Sequence, residues 1–204
     1  PHFAVFGGGY GINTTVDSTD VTVNVNGDYG IYNTEIEDVS VFDNSKGIPN
    51  FTILSALGGG YAGKVNKSTK VTIDGKTFLH RVYGGGFGDP SSTENNETGQ
   101  IGDNTEVYIQ GAKIYGDVFG GGAGVAPKKT GGTYTYFTNV AKVLGTTKVE
   151  ISGEAKIYGN VYGGGDIANI KSYITRTGED KKAYYNTKPK SESKLDQTTG
   201  KFLS

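Results

Sequence analysis

The chain contains no cysteine, no methionine and no tryptophan among its 204 residues. Without cysteine it has no disulfide framework, no thiol nucleophile and no thiolate metal site. The absence of cysteine suits a secreted bacterial protein. No apolar run reaches the roughly 20 residues that span a bilayer, so no membrane insertion is expected. Charge of one sign is also missing. Twenty basic residues face 21 acidic ones, the net charge is −1, and lysine is spread along the chain. That balance argues against nucleic acid and against an electrostatic membrane footprint. The lack of methionine, with Pro1 at the start, leads us to expect a chain that is processed or cut from something longer, any signal peptide having already gone.

Glycine, in contrast, is abundant at 34 residues. A collagen would place it at every third position, and that period is absent. A disordered chain would lack regularly placed valine, isoleucine and aromatic residues, which are present here. The remaining option is one thin, ordered domain with many tight bends.

Five copies of one phrase organise the chain: Val5-Phe6-Gly7-Gly8-Gly9, Ala56-Leu57-Gly58-Gly59-Gly60, Val82-Tyr83-Gly84-Gly85-Gly86, Val118-Phe119-Gly120-Gly121-Gly122 and Val161-Tyr162-Gly163-Gly164-Gly165. A second phrase, Thr-charge-Val-x-Val/Ile, alternates with it at Thr19, Thr69, Thr105 and Thr147. Val71 stands 13 residues before Gly84, and Val107 the same distance before Gly120. With insertions removed the repeat is about 26 residues, too short to bury its own apolar face, so stacked copies must share a core. The pattern has period two and no helical period, which predicts strands. The expected fold is all-β: a parallel β-solenoid of about four to five coils over residues 1–170. Insertions are placed at about 26–52, 89–100 and 125–142, and residues 171–204 read as a polar cap or linker.

Stacking in register makes a prediction about charge. The residue before the repeated valine is Asp20, Lys70, Glu106 and Lys148 in turn, so each charge would sit between opposites. Period two points Val71, Ile73, Val107, Ile109, Val149, Ile151, Ile114 and Ile157 inward. The four threonines are expected to line an inner corner. The same count places Leu79, Tyr115 and Tyr158, then Tyr83, Phe119 and Tyr162, on the outside. Arg81, Asp117 and Asn160 form a polar column between them. The triplets imply a tight bend, or layers too close for any Cβ. A phosphate-cradling loop is a poor match, since no Gly-Lys-Ser/Thr ending follows them.

Gly-Asp-Val-Phe-Gly-Gly-Gly at 116–122 and Gly-Asn-Val-Tyr-Gly-Gly-Gly at 159–165, each preceded by Thr-x-Val-x-Ile, resemble repeats in large secreted or surface proteins of host-associated bacteria. The likeness covers roughly 1–25 and 53–170 outside the loops. It implies a right-handed parallel β-helix and an extracellular setting, and says little about activity. More remotely, such an architecture is similar to pectate-lyase-like enzymes and to filamentous adhesin stalks. The third copy departs from the phrase, with His80-Arg81 where others have Gly-Asp or Gly-Asn.

The outward aromatics Tyr83, Tyr115, Phe119, Tyr158 and Tyr162, beside Arg81, Asp117 and Asn160, supply ring faces and hydrogen-bonding groups suited to a glycan. The competing reading is that these rings stack on one another or lie beneath loops. Tyr134, Tyr136 and Phe137, on an insertion, are candidates for contact with a partner protein, against packing back onto the body. His80 beside Arg81 has the makings of proton abstraction, against a plain substitution within a repeat. Glu35, Glu37 and Asp38 lack the spacing of calcium loops. No motif calls for a metal or a cofactor, and no pair of carboxylates is placed at a shared cleft. The expectation is a non-enzymatic stalk or adhesin module of a larger bacterial protein, binding glycan or a host surface protein and flanked by further repeats. A carbohydrate-active β-helix enzyme and an end-to-end scaffold are the alternatives.

Overall fold

The computed structural model describes residues 3–25, 53–75, 77–89, 91, 97–114, 116–130, 133–135, 137, 139–166 and 170–177. Within them every regular element is a strand and none is a helix. In chain order the strands are β1 (Phe3–Phe6), β2 (Thr15–Val16), β3 (Thr19–Val25), β4 (Ile53–Leu57), β5 (Lys64–Val65), β6 (Thr69–Gly75), β7 (Phe78–Leu79) and β8 (Arg81–Tyr83). They continue as β9 (Thr105–Gln110), β10 (Lys113–Ile114), β11 (Val118–Phe119), β12 (Lys128–Thr130), β13 (Thr133–Thr135), β14 (Val143–Ser152), β15 (Lys156–Ile157), β16 (Val161–Tyr162) and β17 (Ile170–Thr177).

Equivalent phrases pair with one another. The Val-aromatic strands form a parallel sheet in the order β1-β4-β8-β11-β16. The Thr-x-Val strands form a second, in the order β3-β6-β9-β14-β17. β7, β10 and β15 form a third. Valine therefore lies on valine from row to row: Val21, Val71, Val107 and Val149 occupy one line. The charged residues beside them occupy another, with Asp20, Lys70, Glu106 and Lys148 in direct register. The predicted ladder of alternating sign is present. A slip of one residue would turn the valines outward, so the apolar pattern and the charge pattern select the same register.

One core lies between these sheets. Val71, Ile73, Val107, Ile109, Ile114, Val118 and Val149 are fully buried in it, and Ile157 packs against its edge. Leu79 belongs to this core too, which corrects the expectation that it faces out with Tyr115. It pairs with Ile114, not with the residue after it. Val82 pairs with Val118, so the third copy is one residue shorter between these two points, and His80-Arg81 occupies the shortened corner.

Two kinds of corner explain the glycine. Gly75, Gly111 and Gly153 end the long strands at φ of 66°, 79° and 60°, a left-handed turn that costs a residue with Cβ about 1 kcal/mol or more. The triplets need glycine for space. A Cβ on Gly59 would stand 2.6 Å from Gly86 Cα, and one on Gly85 would stand 2.7 Å from Gly122 N. A Cβ on Gly84 would enter the Gly120 carbonyl oxygen. Each triplet is a face on which backbone packs directly on backbone.

The threonines hold this face from within. Thr69 and Thr105 Oγ1 donate to the Gly84 and Gly120 carbonyls, both at 2.6 Å, and Thr19 donates to Gly58 at 2.5 Å. Thr147 donates to Gly163. Beyond the predicted boundary at residue 170, β17 adds a fifth strand to the long sheet, with Lys148 opposite Ile174 and Glu150 opposite Arg176.

Candidate functional site

The Val-aromatic sheet positions the predicted ligand-binding residues. Alternation puts Val82, Val118 and Val161 in the main core and sends the next residue to the opposite face. There Tyr83, Phe119 and Tyr162 stack face to face, with ring centroids 5.0 and 4.9 Å apart and planes within 6° and 12° of parallel. Each ring sits at the strand spacing, which is also a favourable stacking distance.

A second column covers the first. The residue after each triplet repeats the stacking: Tyr10 on Tyr61 at 4.9 Å and Tyr61 on Phe87 at 5.3 Å, followed in register by Ala123 and Asp166. Leu57, Tyr83, Phe119 and Ala123 form one buried cluster with Phe6 and Phe87 against it. The triplet thus turns the chain so that the residue after it packs beside the residue before it. This corrects the expectation of an open aromatic wall. Tyr83 is 5% exposed and Phe119 6%, while Tyr162, in the last row, is 44% exposed. The covering column was legible as the aromatic that directly follows three of the triplets, Tyr10, Tyr61 and Phe87.

The polar column is assembled as expected. Arg81, Asp117 and Asn160 each precede a paired valine and lie side by side, with Ser55 opposite Arg81 on its other flank. Asp117 Oδ1 accepts from the backbone N–H of Asn160 at 2.8 Å and from its Nδ2 at 3.3 Å. The Arg81 Nε is buried with no partner among the described residues. Tyr83 OH donates to Asp166 at 3.4 Å. Burial first, and then the Asp166 carboxylate, hold the Tyr83 hydroxyl above its ordinary pKa, with Arg81 opposing. Tyr162 is raised for the same reasons: burial, then Asp117 and Asp166. His80 is lowered, by burial and then by Arg81, with Asp117 opposing.

Tyr158 is half-buried and its N–H donates to Ile114 O at 2.8 Å. Tyr115 and Tyr136 lie outside the described residues, as do Glu35, Glu37 and Asp38. The insertion carrying the proposed partner loop forms an antiparallel hairpin, β12 with β13, in which Tyr134 pairs with Lys129. Phe137 is buried with Val140 and Ala141, Val125 packing on them, so it turns back onto the body.

On the outer face of the long sheet, Tyr108 stands between two lysines. Lys148 Nζ lies 4.5 Å from its ring centroid and Lys70 Nζ lies 6.0 Å away. Lys148 also donates to Tyr108 OH at 2.9 Å, and Tyr108 OH donates to Glu106 at 2.8 Å. These contacts with Tyr108, then the Glu150 carboxylate, raise the Lys148 pKa. The network ties rows together and gathers no reactive set.

Among the described residues no group of three or more His, Asp and Glu side chains is arranged to hold a metal. No described helix is long and apolar enough to cross a membrane. The arrangement offers stacking faces and hydrogen-bonding groups. The chain matches no known protein-family model, and no curated protein or solved structure is significantly similar to it.

Proposed function

We propose that the chain is a non-enzymatic stalk or adhesin module of a larger bacterial surface or secreted protein. In this reading it is a right-handed parallel β-solenoid of four to five coils, acting passively as a rigid rod that presents loops and an aromatic end to a glycan or a host surface protein. One observation carries the reading: five rows of equivalent strands stacked in parallel, most of them in direct register, their chemistry-bearing side chains spent on holding row to row. Neighbouring repeats of the parent chain would prolong the rod from its first row, leaving Tyr162 open.

The contact for a glycan is the last row. Tyr162 offers a ring face there, with Asn160 exposed beside it and Asp117 adjacent. Tyr83 and Phe119 serve as the stacked base beneath that face. A sugar ring laid on Tyr162 would take the place of a further aromatic in the column.

One observation favours an enzymatic alternative, a polysaccharide lyase or glycoside hydrolase. Burial and then Arg81 lower the pKa of His80, which lies at the corner where the third copy departs from the repeat. A neutral imidazole can accept a proton. A glycan array, run beside depletion assays on uronic-acid polymers, separates the readings. The stalk reading expects binding that weakens on Tyr162→Ala, with no turnover. Turnover lost on His80→Ala or Arg81→Ala would replace it with the enzyme.

A further inference from the structure

We infer that Asp74 and Gly75 form a self-modification site: the Gly75 nitrogen closes on the Asp74 side chain to a succinimide, which water opens to isoaspartate. The site lies at the end of β6 and uses no residue of the glycan contact, so the two are tested apart.

The sequence supplies the reacting pair. A five-membered imide forms when a main-chain nitrogen attacks the side-chain carbonyl carbon of the residue before it. A following glycine leaves that nitrogen unshielded, because it has no Cβ. Among the described residues Asp74 is the only aspartate or asparagine followed by glycine. The equivalent residues of the next two rows, Gln110 and Ser152, also precede a corner glycine, Gly111 and Gly153. Glutamine would have to close a larger ring, and serine has no carbonyl carbon to attack.

The fold supplies the geometry. Gly75 N–H donates to Asp74 Oδ1 at 2.6 Å, so the nitrogen points at the carboxyl group it would attack. Asn24, the partner of Asp74 in the row before, holds the other oxygen, its Nδ2 donating to Oδ2 at 3.5 Å. Thr77 is 1% exposed, and its Oγ1 donates to the Asp74 carbonyl. That bond pins the peptide unit to which the Gly75 nitrogen belongs. The left-handed φ of Gly75, 66°, turns the chain at this point. Both reacting groups are held before they react, which is how a fixed intramolecular contact gains rate over a free one. Asp74 and Gly75 are half-buried, so water has access.

The step balances with water as its only co-reactant. From the protonated carboxyl, the bond between Gly75 N and Asp74 Cγ forms and a Cγ–O bond breaks. The amide proton leaves with the departing hydroxyl as water. Water then adds at Cγ, which restores aspartate, or at the main-chain carbonyl carbon of Asp74, which gives isoaspartate. The second route runs the main chain through Cβ and Cγ. The corner where Gly75 pairs with Val25 then holds one more main-chain atom than the corners at Gly111 and Gly153.

Incubation of the folded chain in heavy-oxygen water, followed by peptide mapping by mass spectrometry, tests this. Each imide that opens takes up one heavy oxygen at residue 74. Label and isoaspartate should accumulate there about tenfold faster in the folded chain than in the same chain held unfolded in guanidinium chloride. Asp74→Glu, which keeps the carboxylate but lengthens the ring to be closed, should carry no label at that position. A folded rate no higher than the unfolded one overturns the inference, as does label that survives Asp74→Glu. Glycan binding on the array is independent of either result.

Discussion

Thr105 Oγ1 donates to the carbonyl of Gly120 at 2.6 Å, fifteen residues along the chain. Both residues are buried. The bond joins the Thr-x-Val strand to the glycine face and recurs at Thr19, Thr69 and Thr147, so the two repeated phrases specify each other. A threonine hydroxyl satisfies the carbonyl, and a missing Cβ leaves room for the threonine: Thr105 Cβ lies only 3.1 Å from where a Cβ on Gly84 would stand, and Thr147 Cβ lies equally close to that place on Gly120.

Thr105→Val should therefore destabilise the chain by about 1–3 kcal/mol, the cost of leaving a buried carbonyl unsatisfied. Thr105→Ser, which keeps the hydroxyl, should cost less. Urea unfolding of the three proteins checks the order.

Gly85→Ala should be far worse than Gly153→Ala. The first places a methyl group 2.7 Å from the backbone nitrogen of Gly122, where no side chain can yield. The second meets open space apart from Gly111 N at 3.6 Å, and its cost is the left-handed φ of 60°, about 1 kcal/mol. We expect Gly85→Ala to lose about 4 kcal/mol or more, which soluble yield and unfolding midpoints will report.

Glu106→Lys aligns three lysine positions, 70, 106 and 148, and removes the acceptor of the Tyr108 hydroxyl. A cost of about 0.5–2 kcal/mol is expected at low salt, shrinking as salt rises, because the like charges are partly exposed. If the loss is the same at every salt concentration, the ladder does not act through charge.

The tyrosine shifts set an alkaline limit. The folded pKa of Tyr83 lies above its ordinary 10.0, so unfolding makes the hydroxyl easier to ionise. The stability it contributes is complete below pH 10.0 and is lost as pH rises through the higher folded value. Tyr162 and Lys148, both raised, act in the same direction. Unfolding midpoints should fall in alkali, and Tyr83→Phe should flatten part of that fall.

His80 sets the opposite limit. Its folded pKa lies below 6.5, so its contribution is present above pH 6.5 and is lost as pH falls through the lower folded value. His80→Gln should flatten the acid side of the stability profile. An NMR titration of the imidazole reads the shift directly.

Much of the fold could be read from the residues because the repeat is strict and each strand signals its faces by period two. The triplets, the threonines and the alternating Asp20, Lys70, Glu106 and Lys148 announce which segments lie side by side. Leu79 was misplaced because the third copy is one residue shorter, and a count carried from a neighbouring copy cannot detect a shortened corner. The aromatic site was half legible. Stacking of Tyr83, Phe119 and Tyr162 followed from register, but the burial of Tyr83 and Phe119 did not. Whether a ring faces water depends on what crosses it, and here Phe87 and Ala123 are carried over it by the turn of the triplet.

The linear pattern alone determined strands, pairing and register, because hydrophobic alternation and charge order are local properties that repeat. Only the tertiary structure decided which faces stayed open, because cover comes from segments on the far side of a bend. The glycine triplets mark the boundary between the two. Their presence is written in the sequence, but the reason no methyl group fits there is the backbone of the next row.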